Sequence, residues 1–114
     1  MRGKNKSFDT ILTQSKLGDA YDSMEFTLAT ASTNYDVRSN VTGAFVNHDY
    51  YTTINIRSDK NLTIRFNDTA NGAITIVSGR PFELNDLMKI DQIYVTNASG
   101  DTAAIKMLGL KKGE

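Results

Sequence analysis

The chain has 114 residues and a mass of 12.6 kDa, enough for one domain with one modest core, and it balances 13 lysines and arginines against 13 aspartates and glutamates. That balance excludes binding driven by a global positive field, such as sequence-independent attraction to phosphate backbones. The lack of cysteine excludes a disulfide framework and thiolate metal sites, and no run of about twenty apolar residues is present to cross a membrane as a helix.

Residues 1–17 read as a basic arm that opens Met1-Arg2-Gly3-Lys4-Asn5-Lys6 and continues without the apolar core of a signal peptide. Phe8, Ile11 and Leu12 fit either a short helical stripe or an edge strand. An isolated helix of about ten residues is marginal in water, which favours an arm or edge strand. Gly18-Asp19 breaks the chain, and residues 18–110 read as the folded domain.

In the domain, Tyr21, Met24, Phe26 and Leu28 lead a first strand, with Phe26, Leu28 and Thr30 on one face. Ser32-Thr33-Asn34 is expected to turn. Tyr35, Val37 and Val41 follow as a shorter strand interrupted by Arg38-Ser39-Asn40. Residues 50–57 form the first clear alternation, with Ile54 and Ile56 inward. Ser58-Asp59-Lys60-Asn61 then has the composition of a hairpin turn into Leu62-Thr63-Ile64-Arg65-Phe66.

The loop 67–72 ends in Asn71-Gly72, a pair that accepts positive φ, and Ile74-Thr75-Ile76 resumes the alternation. Pro81 lacks an amide donor and is expected to start the short strand Phe82-Glu83-Leu84. Residues 85–89 read as a single helical turn, 90–96 as a strand and 97–101 as a hairpin loop. The last strand, 103–110, turns Ile105 and Met107 inward, and 111–114 is a free tail.

Seven to nine short strands in one flat sheet would leave an apolar face in water. Two packed sheets bury both faces, so the expected fold is an all-β, antiparallel two-sheet β-sandwich, jelly-roll-like or Ig-like, with an N-terminal arm. A closed barrel is the alternative.

No motif carries chemistry. His48 is the sole histidine, and Asp49 beside it faces the other way on an extended chain, with no nucleophile elbow in the sequence. Glu25 and Glu83 are the internal glutamates, and neither pairs with Asp91 at a spacing the sequence defines. The loop Asn67-Asp68-Thr69-Ala70-Asn71-Gly72 offers oxygens but lacks the acidic spacing of a calcium loop, and Asp19 with Asp22 is sparser still. Arg57 and Arg65, with Lys60 and Tyr51, resemble a basic-aromatic surface diluted by Asp59 and Asp68. Asn-x-Ser/Thr matches such as those at Asn40, Asn61, Asn67 and Asn97 are what an Asn- and Thr-rich chain contains by chance. No cofactor, metal, specific nucleic acid or membrane partner is expected.

Tyrosines are the more informative polar aromatics, because the ring buries area while the hydroxyl stays wet. Tyr21, Tyr35, Tyr50 and Tyr51, with Phe8, Ile11 and Leu12 of the arm, are the candidate interface residues. The runs Ile74-Thr75-Ile76, Gly79-Arg80-Pro81-Phe82-Glu83-Leu84, Ile93-Tyr94-Val95-Thr96-Asn97-Ala98-Ser99-Gly100 and Ala104-Ile105-Lys106-Met107-Leu108-Gly109-Leu110 resemble small structural proteins of tailed bacteriophages. That resemblance implies a non-enzymatic β-sandwich subunit of the virion, made in the host cytoplasm, that decorates the capsid or serves the neck or tail. Its implied partners are copies of itself or the major capsid, portal or tail proteins. The alternative is a carbohydrate-binding or receptor-binding module using the Asn/Asp loops and tyrosines.

Overall fold

The computed structural model describes residues 21–111, so the arm candidates Phe8, Ile11 and Leu12 and nearly all of the 111–114 tail lie outside the described residues. Where alternation is cleanest, strands form: β1 (Asp22–Leu28), β2 (Ser32–Asp36), β3 (Tyr51–Ser58), β4 (Leu62–Phe66), β5 (Ile74–Ile76), β6 (Phe82–Ile90), β7 (Ile93–Asn97) and β8 (Ala103–Leu110). One helical turn, α1 (Val37–Asn40), follows β2.

These strands make two four-stranded sheets, ordered β1-β8-β3-β6 and β2-β7-β4-β5, with every ladder antiparallel. The pairs β1 with β8, β2 with β7, β3 with β6 and β4 with β5 are those of one long hairpin closed at the β4–β5 loop. Folding that hairpin so that successive pairs fall in alternate sheets gives the jelly-roll order, not the Ig-like one. Between the sheets lie Ile54, Ile56, Leu62, Ile64, Phe66 and Ile76, all buried, with Ile74 partly buried against them. Ile105 and Met107 face inward as their phase requires.

Several local expectations are corrected. Residues 58–61 and 97–101 are not hairpin turns: β3 and β4 belong to different sheets, as do β7 and β8, so both turns are arches across the sandwich. Arch and hairpin bury the same phase of side chains, and the choice is made by strands distant in sequence. Asp59 fixes the first arch by continuing toward β8, its N–H donating to the Ala104 carbonyl at 3.2 Å and its Oδ1 accepting from the Ala104 N–H at 2.8 Å. The second arch is built on buried Asn97, whose Nδ2 donates to Leu28 and Asp101 carbonyls at 3.0 and 2.8 Å.

The expected strand through Val37 is instead α1, because Asp36 caps it: its Oδ1 accepts from the Ser39 N–H at 3.1 Å. The turn expected at 32–34 falls earlier, at Ala31 with φ 66°, and Asn34 (φ 49°) lies in an irregular β2. Residues 85–89 are not helical but continue β6.

Candidate interaction surfaces

The polar centre of the molecule is a carboxylate at the start of β1. Asp22 shares the inward phase of Met24, and it is only 2% exposed. Its Oδ2 accepts from the Tyr51 hydroxyl at 2.5 Å and the Val46 N–H at 3.1 Å. Its Oδ1 accepts from the Asn47 N–H at 3.0 Å and Asn47 Nδ2 at 2.9 Å. The Tyr51 oxygen in turn accepts from the Phe45 N–H at 2.8 Å. Phe45 adopts a left-handed φ of 57°, a conformation that costs free energy for a bulky residue. The network offsets that cost, with the Phe45 ring stacked 4.3 Å from Tyr51 and the Arg38 guanidinium 4.5 Å from the Phe45 ring centroid. The result is a rigid 45–47 segment that holds Val46 outward, 68% exposed, beside Tyr21, whose carbonyl accepts from Asn47 Nδ2 at 2.9 Å.

Tyr51 is therefore corrected from interface residue to core residue, fully buried because Asp22 and the Phe45 amide satisfy its hydroxyl. Burial, and then the hydrogen bond to Asp22, push its phenol far above the ordinary tyrosine value. The folded state thus holds the proton more tightly than the unfolded chain. Its contribution is fully present below the unfolded value of about 10 and is lost as pH rises from there toward the folded value. Tyr51→Phe is expected to remove that alkaline slope from a plot of unfolding free energy against pH while lowering stability at neutral pH.

The other tyrosines divide by environment. Tyr21 is exposed at the end of the sandwich where β1 begins. Tyr50 is half-buried, with Lys89 and Lys111 ammonium groups 4.7 and 4.4 Å from its ring centroid. Tyr35 is half-buried and stacks on Phe26 at 6.0 Å, so most of its ring serves packing.

The largest apolar exposure is one that alternation did not indicate. Tyr51 stands opposite Ile90 and Thr53 opposite Asn85, so residues 86–89 of β6 share the single β3 position Thr52. Such a bulge turns side chains out of the pleat. Leu87 is 75% exposed there, and Met88 is exposed beside it. The strand is also an outer edge of its sheet.

No protein-family model matches the sequence, and no curated protein matches it. Solved structures to which the chain is similar include three at low identity. One is a de novo designed double-stranded β-helix, at 10% identity and TM-score 0.49 over 75% of this chain and 94% of that one. Another is the IMPa metallopeptidase from Pseudomonas aeruginosa, at 12% and 0.48 over 82% of this chain and 12% of that one. The third comes from Bacillus endospore appendages, described as a family of disulfide-linked pili, at 16% and 0.41 over 81% of this chain and 88% of that one. Their activities and assemblies are their own.

The sequence's chemical candidates are dispersed. Glu25 and Glu83 lie on β1 and β6, opposite edges of one sheet, and Glu83 accepts from Asn55 Nδ2 at 3.0 Å. His48 is half-buried in the loop before β3. Arg57 and Arg65 belong to different sheets, on β3 and β4, so no hairpin places them side by side. Arg65 is held by the Asn71 carbonyl at 2.9 Å and Asn34 Oδ1 at 3.2 Å. In the 67–72 loop, Asp68 Oδ1 accepts from the Ala70 N–H in a turn-forming role, and Asn67 Oδ1 accepts from the Asp91 N–H, tying the loop to the connection between β6 and β7. Among the described residues no three His, Cys, Asp or Glu side chains group as metal ligands, and no helix is long and apolar enough to cross a membrane.

Proposed function

We propose that this chain is a structural subunit that assembles with copies of itself or with the capsid, neck or tail proteins of a bacteriophage particle. The observation that carries the reading is Leu87, three-quarters exposed on a bulged outer strand. Sheet edges are ordinarily kept short or charged against association. In this sandwich β5 and β2 are short, at three and five residues, and β1, at seven, exposes the polar side chains Ser23, Glu25 and Thr27, whereas β6 is nine residues long and presents Leu87 and Met88 to solvent. The zero net charge offers little repulsion between copies. The sequence resemblance of about residues 18–110 to phage structural proteins supports the virion setting.

Light scattering over a range of concentrations is expected to show the mass of the full chain rising above 12.6 kDa. Burying one leucine is worth about 1.5–3 kcal/mol, so Leu87→Lys should weaken association about tenfold or more. Its melting temperature should hardly change, since the site is exposed. A mass of one chain at every concentration, together with no cross-link to a neighbour in intact particles, overturns the reading.

Glycan binding has less support. The open groove lined by Asn61, Thr63, Thr75, Ser78, Thr96 and Ser99 has hydroxyls but no aromatic platform. A saturable sugar-dependent thermal shift is the result that would favour it.

A further inference from the structure

Granting the assembly reading, we propose that β1 pairs antiparallel with β1 of a second copy about a two-fold axis, Glu25 opposite Thr27 of that copy, in a contact separate from Leu87. Main-chain direction decides which groups β1 leaves unbonded. Asp59 continues the register of β3 with β8: its N–H donates to the Ala104 carbonyl at 3.2 Å, and its Oδ1 accepts from the Ala104 N–H at 2.8 Å, so Ala104 turns both main-chain groups toward β3. Direction alternates along an antiparallel strand, so Ala103, Ile105, Met107 and Gly109 turn theirs toward β1. Their partners there are Leu28, Phe26, Met24 and Asp22. Ser23, Glu25 and Thr27 therefore point N–H and C=O away from the sheet, at its outer edge.

That edge is closed at both ends. The 43–47 segment lies along its start, where Asn47 Nδ2 donates to the Tyr21 carbonyl at 2.9 Å and a Cβ at Gly43 would lie 3.2 Å from the Ser23 carbonyl. At its finish the Ala29 carbonyl accepts from Ser32 Oγ at 2.8 Å. Glu25 and Thr27 remain, without a main-chain partner on that side among the described residues. The strand suits pairing: its register with β8 is unbroken over seven residues, whereas β2 and β6 carry register shifts and β5 has three residues. Its polar side chains stand on the face of the sheet, not along the edge, and the one charge among them, Glu25, has Lys106 3.9 Å away.

One register uses what is free and nothing that is taken. With Glu25 opposite Thr27 of the second copy, both residues of both copies bond through N–H and C=O. A shift of two residues one way sets Glu25 against Glu25, like charges directly opposite, and calls on the covered Ser23 carbonyl. The same shift the other way calls on the occupied Ala29 carbonyl. The favoured register also brings the two Phe26 rings together on the inner face, where each is half-buried and stacked on Tyr35 at 6.0 Å, so pairing extends an aromatic row already in place. A second copy fits this edge better than the chain's own amino-terminal segment. A hairpin closed at Gly18-Asp19 would pair first with Tyr21 and Ser23, the stretch that 43–47 holds.

The chain has no cysteine of its own, so paired substitutions report the register. Full-length Glu25→Cys and full-length Thr27→Cys, both at exposed positions, are mixed under mild oxidation and the three possible disulfide dimers are told apart by mass. The mixed dimer is expected in roughly tenfold excess over either like pair, because only residues directly opposite bring their Cα atoms to about 5.5 Å. The excess should survive Leu87→Lys, which lies outside this contact, and vanish when the Glu25→Cys chain also carries Thr27→Pro. Proline at 27 removes an N–H that the chain's own ladder does not use, so the melting temperature should stay close to that of the parent. Where that variant does not fold, the ratio of the three dimers decides alone. Statistical proportions of the dimers, or none of them, in a chain that light scattering shows to associate, overturn the β1 pairing and leave the assembly reading standing. A chain that never associates overturns both. An internal disulfide in Leu12→Cys/Thr27→Cys at monomeric dilution gives the edge to the chain's own segment and overturns the second copy.

Discussion

Replacing Asp22 with alanine is expected to remove about 3–5 kcal/mol of folding stability, the scale observed when one partner of a buried charged network is deleted. Four donors converge on this carboxylate: the Tyr51 hydroxyl, the Val46 and Asn47 amides and Asn47 Nδ2. Alanine leaves the Tyr51 hydroxyl without its partner inside the core, where Asp22 and Tyr51 are both buried, and the Val46 and Asn47 donors without theirs at its part-buried rim. Domains of this size have about 5–15 kcal/mol in total, so the variant should lose between about a fifth and all of its stability at room temperature. Urea titration is the check, with a lower midpoint and an unchanged slope expected. Tyr51→Phe removes one of the four donors and should cost less, about 1.5–3 kcal/mol. The two substitutions act on one network, so in combination they should cost less than their sum. A midpoint for Asp22→Ala equal to that of the parent would show that the 45–47 segment is held by other means.

How far the sequence discloses this arrangement depends on the range of the interactions involved. Ile54, Ile56, Ile64 and Ile76 declare their inward face by alternation alone, because burial on one side of a strand is a local property. Which sheet a strand joins is not local. Residues 58–61 make an arch because β8 and β6 occupy the two positions beside β3, and nothing in the turn itself encodes that. Asp22 was detectable in principle: counting back from Leu28, Phe26 and Met24 in steps of two lands on it, a charged residue on an inward face. Tyr51 was not, because it is out of phase with Ile54 and Ile56 and reaches the core only where β3 meets the β6 bulge. The same bulge hides Leu87 from a pattern reading, since 85–89 has the apolar spacing of a helical turn and becomes a strand only through its pairing with β3.

Gly109→Ala is expected to destabilise the fold by about 3 kcal/mol, the upper part of the usual range for overpacking, and to lower the melting temperature by roughly 10–20 °C. Local propensity argues the opposite sign. Alanine in a strand is favoured over glycine by about 0.5–1 kcal/mol because it has less chain entropy to lose. Contact decides against propensity: a Cβ at Gly109 would lie 2.6 Å from two carbons of the Tyr51 ring and 2.8 Å from a third. A flexible side chain could swing aside, but this ring is anchored through its hydroxyl to Asp22 and Phe45 and stacked on the Phe45 ring. Yielding would therefore disturb the polar network as well as the packing. The argument has a direct test by thermal unfolding of a double-mutant cycle. Tyr51→Ala alone should cost about 3–5 kcal/mol by opening a cavity, and adding Gly109→Ala to it should cost almost nothing, because the methyl enters space the ring has left. If Gly109→Ala is equally damaging with and without the ring, the clash is not its cause. If it is stabilising in both backgrounds, the close approach of β8 to Tyr51 is wrong, and with it the packing that fixes the start of β3 against the bulge of β6.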